Sequence, residues 1–322
     1  MKRRLLGGFL DDLRMVRQSR DAQGRARTPR SALVHADPVR RTGFETAWAR
    51  TPTARAARKV LQTGLLKPVV WTQTSPRIEG LDHIEHLQGP VVFVANHSSH
   101  LDAPLIIGSV PTRLRQRLAV GAAADYFFDA KWRAIITTLI FNAFPIERRG
   151  SDRRRSLAPQ LLGRGWNLLL FPEGTRSEDG WMGQVRLGPA HLCVQRQVPM
   201  VPVILRGTYA AMPRARNWPM PGRQRVIVRY GRPLFPEENE GARALHQRMI
   251  QAMARLWAED ELGWYGSLRA QAKGELALPS GPREITADGS AGDVVPTGSW
   301  RRTWEASRPV PKETRHSGVW DN

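Results

Sequence analysis

Three polar clusters interrupt apolar stretches of the 322-residue sequence. They are the segment from Asn96 to Asp102 with His97, the segment "ERRGSDRRR" with Arg148, and "FPEGTRS" at 171–177. A carboxylate bonded to one imidazole nitrogen fixes the tautomer of the ring and leaves the other nitrogen to take a proton from a hydroxyl. The first cluster therefore contains the residue types for general-base chemistry.

The spacing of His97 and Asp102 restricts how the two side chains can meet. Five positions along one helix would place them about 140° apart. They can meet only if His97 lies in a loop and Asp102 lies at the entry to the next helix, which is the arrangement of a strand-to-helix junction. The same spacing permits a structural interpretation, in which Asp102 caps the helix ahead of Pro104 and His97 is a satisfied polar residue.

Two other chemistries fit the first cluster less well. His97, His100 and Asp102 are all metal-ligand types, but no cysteine lies nearby and the only other cluster of ligand types is the separate "HIEH". The sequence has no G-x-S-x-G elbow that would expose a nucleophilic serine. We therefore expect neither a metal site nor a serine hydrolase.

The third cluster has the residue types of a phosphate-binding turn. Gly174 permits close backbone approach, Thr175 offers a hydroxyl, and Arg176 offers a guanidinium that fits phosphate oxygens. Arg148, after the short run "FPIE", would complete a cationic pocket. A tight turn with a surface ion pair is the alternative interpretation of these residues.

The order of apolar runs predicts an α/β fold in a single domain. Six short β-rich runs alternate with helical stretches, which is the pattern of a mixed, mostly parallel sheet flanked by helices. The predicted strands lie within 90–96, 117–123, 144–149, 166–174, 199–207 and 223–231. Ligands of such sheets bind beyond the carboxyl ends of the strands, and each polar cluster follows a predicted strand.

The charge of the chain predicts an anionic partner, either nucleic acid or a membrane surface, because the formal net charge is +20 and the pI is near 11.4. Residues 1–60 contain fifteen Lys and Arg against five Asp and Glu, so half of the net charge (15 − 5 = 10) lies there. We predict a basic N-terminal arm at 1–60, partly disordered or membrane-associating, a globular domain at 61–268 and a disordered tail at 269–322.

The apolar segments predict peripheral rather than membrane-spanning contact. The basic N-terminus has its apolar stretch interrupted by Asp11, Asp12 and Arg14, so we expect no secretory signal. No run of eighteen apolar residues occurs in the sequence. Cys193, the only cysteine, lies in the apolar stretch "AHLCVQ" and is expected to be buried and unreactive.

Together the clusters resemble four sequence blocks of the glycerolipid acyltransferase family, which includes 1-acylglycerol-3-phosphate acyltransferases. Asn96, His97 and Asp102 resemble the first block, and "FNAFPIERR" with Arg148 resembles the second. The third block, "FPEGTRS", is unaltered, and "VPMVPVIL" with Pro202 resembles the fourth. The four blocks occur in the order of the family.

One position departs from the family pattern. Asn142 stands where the family often has glycine at the start of the second block. Asparagine tolerates unusual backbone angles better than most residues, so we expect little consequence for the fold.

The resemblance implies a glycerol-3-phosphate acyltransferase-like fold, with 61–268 as the acyltransferase domain. It implies transfer of a fatty acyl chain from acyl-CoA or acyl carrier protein to the free hydroxyl of 1-acylglycerol-3-phosphate, giving phosphatidic acid. His97 would act as general base and Asp102 would orient it. The residues that the resemblance assigns to the acceptor's phosphate and its loop are Arg148, Glu173, Gly174, Thr175 and Arg176, with Asn96 and Pro202 supporting.

The resemblance also implies the partners of the protein. These are the acyl donor as co-substrate, lysophosphatidic acid and an anionic membrane surface, with no metal, prosthetic group or nucleic acid. We expect the protein on the cytoplasmic face of the membrane, bound peripherally. Two alternatives remain: the same chemistry on glycerol 3-phosphate or another lysolipid, and a non-enzymatic basic protein that binds membrane or nucleic acid.

Overall fold

The structure, a computed structural model, describes residues 46–123, 131–146 and 157–279. Most of the predicted basic arm, Arg148 and most of the predicted tail lie outside the described residues. The predictions for these segments therefore stay predictions.

The described residues form a seven-stranded sheet. Its strands are β1 (Thr74–Glu79), β2 (Val92–Ala95), β3 (Leu118–Ala123), β4 (Phe144–Ile146), β5 (Asn167–Leu170), β6 (Met200–Arg206) and β7 (Gln224–Tyr230). The spatial order is β1-β7-β6-β2-β5-β3-β4. All neighbouring pairs are parallel except β6 and β7, which are antiparallel. The prediction of a mixed, mostly parallel sheet is thus confirmed.

Helices cover both faces of this sheet. They are α1 (Pro52–Leu61), α2 (Lys67–Gln73), α3 (Asp102–Ser109), α4 (Thr112–Arg115), α5 (Lys131–Phe141), α6 (Leu157–Gly163), α7 (Gly188–Arg196), α8 (Thr208–Ala211) and α9 (Ala242–Ala272). Helix α9 is kinked at Gly263, whose φ of 72° and ψ of 171° are not helical. None of the helices in the described ranges combines the length and the apolar composition that a membrane span requires.

Alternate residues of the central strands face two separate cores. Val92 and Val94 of β2 pack with buried side chains of α6, α7 and α9, whereas Phe93 and Ala95 pack with those of α2, α3 and α4. This alternation follows from the period of two in a strand. It explains why β2 is apolar at every position: both of its faces are covered. Cys193 of α7 is buried in the first core, as predicted.

Two buried arginines attach α9 to the sheet. Arg206, at the carboxyl end of β6, bonds to the Trp257 carbonyl at 2.8 Å and to Glu261 at 3.0 Å. Arg229 of β7 bonds to Glu79 at 2.6 Å and to the Leu256 carbonyl at 2.7 Å. Burial lowers the pKa of Arg206 to about 10, so the guanidinium remains charged at neutral pH. These bonds bring the later part of α9 to the carboxyl end of β6.

The helical segment before β1 contains α1, which begins at Pro52, nine residues (61 − 52) ahead of the predicted start of the domain at residue 61. Its buried side chain Arg58 donates to the carbonyls of Leu139 and Ala49, each at 2.7 Å. Leu139 lies near the C-terminus of α5, where carbonyls lack intrahelical partners. The sequence pattern does not reveal this role, because a basic residue in a basic segment predicts an exposed position.

The sequence pattern also does not predict β1. Pro76 interrupts it, and Thr74, Ser75 and Arg77 are polar. The sheet order explains the composition, because β1 is an edge strand and proline is tolerated at edges.

Asn142 stands where the family often has glycine, and its backbone adopts a left-handed φ of 48°. Its side-chain amide donates to the Leu118 carbonyl at 3.1 Å.

Candidate active site

Three strands end at the same edge of the sheet and supply the site. The parallel strands β2, β5 and β6 are followed by His97, by the 171–177 turn and by Thr208 of α8, respectively. The predicted convergence of polar clusters at this edge is therefore observed for the first and third clusters. The second cluster follows β4 but lies outside the described residues, and with it Arg148.

Asn96 extends the pairing of β2 and β6 by one side chain. Its Oδ1 accepts the Leu205 N–H at 2.7 Å and its Nδ2 donates to the Leu205 carbonyl at 2.9 Å. The amide thereby replaces a backbone peptide in the ladder while the main chain turns out of the sheet. The following residue, His97, leaves the sheet at a fixed point because of this contact.

His97 and Asp102 form a hydrogen-bonded dyad. The distance from His97 Nδ1 to Asp102 Oδ2 is 2.9 Å. His97 lies in the loop after β2 and Asp102 is the first residue of α3, as the spacing requires. A carboxylate only accepts hydrogen bonds, so the neutral ring carries its proton on Nδ1 and has Nε2 as an acceptor.

The carboxylate of Asp102 is fully buried and faces back into the loop rather than along its own helix. The same Oδ2 accepts the N–H groups of Ser98 at 2.7 Å and Ser99 at 2.8 Å. Its other oxygen, Oδ1, is buried without a hydrogen-bond partner within the described ranges. A helix-capping role would direct these oxygens to the first turn of α3, which is not what the contacts show.

The ring of His97 stacks on Phe171, with centroids 4.1 Å apart and planes inclined by 22°. Phe171 is the first residue after β5 and the first letter of the third sequence block. Its contact with the imidazole was not predicted, although its position directly after a neighbouring strand is the signal that could have indicated it. Carboxylate and phenyl ring together fix the orientation of the imidazole.

The turn after β5 is closed by backbone contacts to the histidine loop, which is the segment 96–101 between β2 and α3. Gly174 has a φ of 74°, a left-handed conformation that glycine adopts without strain. The Ser177 N–H donates to the His97 carbonyl at 2.7 Å. The turn and the histidine loop therefore hold each other in place.

Glu173 is buried between these loops and does not point into solvent. Its Oε1 accepts the His97 N–H and its Oε2 accepts the Gly183 N–H, both at 2.7 Å. Burial raises the pKa of Glu173 to about 7, further raised by the charges of Asp102 and Asp179 and opposed by these two hydrogen bonds. The structure thus assigns both oxygens of this carboxylate to the backbone, so Glu173 shapes the loop from within.

Arg176 lies at the surface of the turn. Its Nη1 donates to the Arg214 carbonyl at 3.3 Å, and Arg214 in return donates to the Arg176 carbonyl at 3.1 Å. The neighbouring His100 has its pKa lowered to about 4, first by burial and then by the positive charge of Arg176. His100 is therefore neutral at physiological pH and adds no charge to the site.

Thr175 and Arg176 line an open depression of about 330 Å³ beside the turn. Arg186 lies on another part of its wall, with its guanidinium over Gly174. Glu178 also lines it, so the depression presents charges of both signs. His97 is not part of its lining, and the depression is thus a neighbour of the dyad rather than its cavity.

The structure brings together most of the predicted site residues. Those at the carboxyl edge of the sheet are Asn96, His97, Asp102, Glu173, Gly174, Thr175 and Arg176. Pro202 lies inside β6 opposite Val94, and its carbonyl accepts the Gly231 N–H at 2.8 Å. Its place is within the sheet, where it contributes to packing and not to the loops of the site.

The protein has an α/β fold with a histidine–aspartate dyad at the carboxyl edge of its sheet. Among known proteins, residues 75–206 match the family model described as Acyltransferase. This part of the chain is thus similar to the acyltransferase family, in agreement with the resemblance of the four sequence blocks.

Curated relatives with related names also match this chain. The 1-acyl-sn-glycerol-3-phosphate acyltransferase of Limnanthes douglasii is 28% identical over 179 residues, covering 53% of this chain and 58% of the relative. The alpha form from Mus musculus is 31% identical over 194 residues, covering 57% of this chain and 62% of the relative. The chain thus spans about three fifths of the length of these relatives.

The solved structures that are similar include that of the 1-acyl-sn-glycerophosphate (LPA) acyltransferase PlsC from Thermotoga maritima. It is 24% identical with a TM-score of 0.48, covering 65% of this chain and 85% of that chain.

Proposed function

We propose that this protein transfers a fatty acyl chain from acyl-CoA or acyl carrier protein to the free hydroxyl of 1-acylglycerol-3-phosphate, giving phosphatidic acid. The observation that carries the proposal is the dyad of His97 and Asp102, 2.9 Å apart at the edge of the sheet beside the arginine-containing turn. The names of the relatives, which are 1-acyl-sn-glycerol-3-phosphate acyltransferases, support the choice of acceptor.

The reaction begins with the dyad as general base. Nε2 of His97 takes the proton of the acceptor hydroxyl while the hydroxyl oxygen attacks the thioester carbonyl carbon. The imidazolium that forms is stabilised by the buried charge of Asp102. Collapse of the tetrahedral intermediate breaks the carbon–sulfur bond, and the departing thiolate recovers the proton from the ring. Acyl group, proton and thiol thus balance without a prosthetic group or metal.

The acceptor is held by its phosphate. Arg176, with Arg148 as the resemblance implies, would bind the phosphate oxygens by charge-assisted hydrogen bonds. Gly174 and Thr175 provide a turn that a phosphate can approach closely. A phosphate bound at the turn next to the dyad would hold the acceptor so that its hydroxyl lies at the base. The binding energy of the phosphate is thereby used to orient the hydroxyl for reaction.

We place the enzyme peripherally at the cytoplasmic face of a membrane. The formal net charge of +20 supports this location, because anionic lipids attract basic segments of proteins. A lysolipid acceptor is an amphiphile, so the substrate and the enzyme would meet at the bilayer surface.

The test is an acyl-transfer assay with purified protein and radiolabelled oleoyl-CoA. The acceptors are lysophosphatidic acid, glycerol 3-phosphate, lysophosphatidylcholine and buffer alone. We expect labelled phosphatidic acid from lysophosphatidic acid, and the acceptor panel distinguishes the alternative acceptors. Labelled product from glycerol 3-phosphate alone would move the proposal to that acceptor, and no transfer to any acceptor would contradict it.

His97→Ala serves as the catalytic control in the same assay. Loss of a positioned general base should lower turnover by about a hundredfold to ten-thousandfold. Membrane binding by the folded variant should be unchanged, whereas a non-enzymatic basic protein would show binding and no His97-dependent transfer. Full activity after prolonged treatment with a chelator would support the metal-free mechanism, and its loss would contradict it.

A further inference from the structure

The loop from Met212 to Arg223, between α8 and β7, lies beside the proposed active site. Because β7 runs antiparallel to β6, this loop leaves and re-enters the sheet at the carboxyl edge of β6. The Ser99 hydroxyl of the histidine loop donates to the Met212 carbonyl at 2.8 Å. The guanidinium of Arg214 donates to the carbonyl of Arg176 in the 171–177 turn, and the guanidinium of Arg176 donates to the carbonyl of Arg214. The loop thus touches both segments that form the site.

The loop is basic throughout. Arg214, Arg216 and Arg223 lie in the loop, Arg225 follows at the start of β7, and the segment 212–225 contains no aspartate or glutamate. All four arginines are exposed. Arg214 forms an ion pair with Glu178 at 2.8 Å, and the Arg223 guanidinium donates to the Trp71 carbonyl at 3.1 Å. Arg216 has no such bond to any part of the chain that the structure describes, and its charge faces solvent.

An exposed indole accompanies these charges. The side chain of Trp218 is 60% exposed, two residues after Arg216. The loop is closed at its base by the Met220 N–H, which donates to the Ala211 carbonyl at 2.7 Å. Pro213, before the tip, and Pro219, directly after the indole, restrict the backbone. Trp218 is therefore presented to solvent by a loop that is held in shape, although exposing a tryptophan is unfavourable in water.

We propose that the loop containing Arg216 and Trp218 docks on an anionic lipid bilayer, with the indole in the headgroup region and the arginine on lipid phosphates. Tryptophan is enriched at the membrane–water interface, where its ring is buried and its N–H stays hydrated. Arginine adds attraction to anionic lipid. Docking through this loop turns the mouth of the site towards the bilayer that supplies the acceptor.

An acidic carrier protein is the competing partner for a basic surface at the site. Charge alone does not distinguish the two partners. The exposed indole favours the bilayer, because an apolar ring beside basic residues is the composition of an interfacial segment. The reason given for docking, access to a lipid acceptor, rests on the proposed function. The docking itself does not, because binding to vesicles is measured without catalysis.

The chain offers a matched control at the opposite edge of the sheet. Arg196 is exposed at the end of α7, which precedes the amino end of β6. Phe235 is 57% exposed and follows Leu234, whose backbone pairs with Met200 at that same end of β6. The double variant Arg196→Ala/Phe235→Ala thus removes one arginine and one exposed aromatic ring far from the site. It matches Arg216→Ala/Trp218→Ala in both respects.

The experiment measures flotation of the full chain with vesicles of phosphatidylcholine containing phosphatidylglycerol, and with phosphatidylcholine alone. We expect Arg216→Ala/Trp218→Ala to bind the anionic vesicles at least about fivefold more weakly, the effect of one arginine near the surface, with a further loss from the indole. The control double variant should bind like the wild type. Equal binding by both double variants would overturn the inference.

Activity provides a second measurement. For Arg216→Ala/Trp218→Ala, kcat/KM should fall for lysophosphatidic acid in vesicles and stay unchanged for a short-chain, monomeric lysophosphatidic acid. A raised KM for acyl carrier protein, with unchanged vesicle binding, would assign the loop to the carrier and contradict docking on lipid. If the wild type transferred no acyl group at all, the proposed function would fail while the flotation result still decided the inference.

Discussion

The side chains of His97 and Asp102 are joined by a 2.9 Å hydrogen bond, and the same aspartate oxygen also accepts two backbone N–H groups. The imidazole and the loop that carries it therefore depend on one buried atom. This arrangement links the chemistry of the base to the conformation of the loop, because neither can change without disturbing the other.

Substitutions of Asp102 can distinguish the effect of its negative charge from its role as a hydrogen-bond acceptor. In Asp102→Asn, the amide oxygen should occupy the place of Oδ2, because the N–H groups of Ser98 and Ser99 need an acceptor there. The tautomer of His97 is then retained and only the charge is lost. We expect turnover to fall by about tenfold to a hundredfold, the scale of losing 1.5–3 kcal/mol from a charge-assisted hydrogen bond.

Asp102→Ala removes the acceptor as well and should be more severely impaired in both turnover and stability. Steady-state kinetics with lysophosphatidic acid, alongside urea unfolding, measure the two effects. Wild-type turnover in Asp102→Asn would show that the charge does not assist the base. Equal turnover in the two variants would show that the acceptor role contributes nothing.

Glu173 should make stability depend on pH. Burial raises its pKa from 4.5 to about 7, so the native state binds a proton more tightly than the unfolded state between these values. Its contribution to the free energy of unfolding is therefore fully present below pH 4.5 and is lost as pH rises through about 7. His100 acts in the opposite direction, because its pKa is lowered to about 4 and its contribution is lost as pH falls below 6.5.

The two effects are separated by comparing the wild type with Glu173→Gln in urea unfolding at several pH values. The wild-type free energy of unfolding should decline relative to the variant as pH rises from about 5 to 8. Glu178→Gln, at an exposed position of the same segment, is the control for removing a carboxylate. A difference between wild type and Glu173→Gln that stays constant with pH would contradict the assignment.

Arg176 should act on the acceptor rather than on the donor. Arg176→Ala removes a charged donor worth about 1.5–3 kcal/mol, so kcat/KM for lysophosphatidic acid should fall by about tenfold to a hundredfold. Arg148→Ala should have a similar effect. Arg176→Lys should recover only part of the loss, because an ammonium lacks the planar fork of the guanidinium.

A two-substrate kinetic matrix distinguishes the substrates. The KM for acyl-CoA should stay nearly constant in the arginine variants. Arg186→Ala is the matched control, since Arg186 lines the same depression but belongs to none of the four sequence blocks. A defect in the acyl-CoA parameters would assign Arg176 to the phosphates of the donor, and a defect only in Arg186→Ala would place the acceptor on the other wall.

Asn96 should contribute to stability, because its buried side chain bonds to the backbone of Leu205. Asn96→Ala leaves the N–H and carbonyl of Leu205 buried without partners, which costs about 1–3 kcal/mol for each group. We expect a lower urea midpoint together with reduced turnover, because the start of the histidine loop loses its fixed point. Unchanged stability would show that water or the main chain replaces the amide.

The central part of the fold and the dyad were predictable from the sequence because each depends on local patterns. Buried parallel strands require apolar runs such as that of β2, and a histidine and an aspartate at this spacing can meet only at a strand-to-helix junction. These are constraints of chain geometry, which a single sequence expresses directly.

The remainder depends on contacts between distant segments. Arg58 is buried only because the carbonyls of Ala49 and Leu139 receive its guanidinium, and nothing in its neighbourhood in the sequence indicates this. The sequence block containing Glu173 implies a role in the acceptor loop, yet its backbone partners, the N–H groups of His97 and Gly183, carry no sequence signal. Buried polar residues with backbone partners are thus the part that pattern alone does not specify.

The burial of Cys193 has a practical consequence. It is the only cysteine in the chain, and burial raises the pKa of its thiol to about 12. A protonated, inaccessible thiol is a poor nucleophile towards maleimides at neutral pH. A substitution such as Arg216→Cys would therefore introduce the sole reactive thiol, and a spin label or fluorophore could be attached there without removing the native cysteine. The depth to which that label enters a bilayer would then be a direct spectroscopic readout.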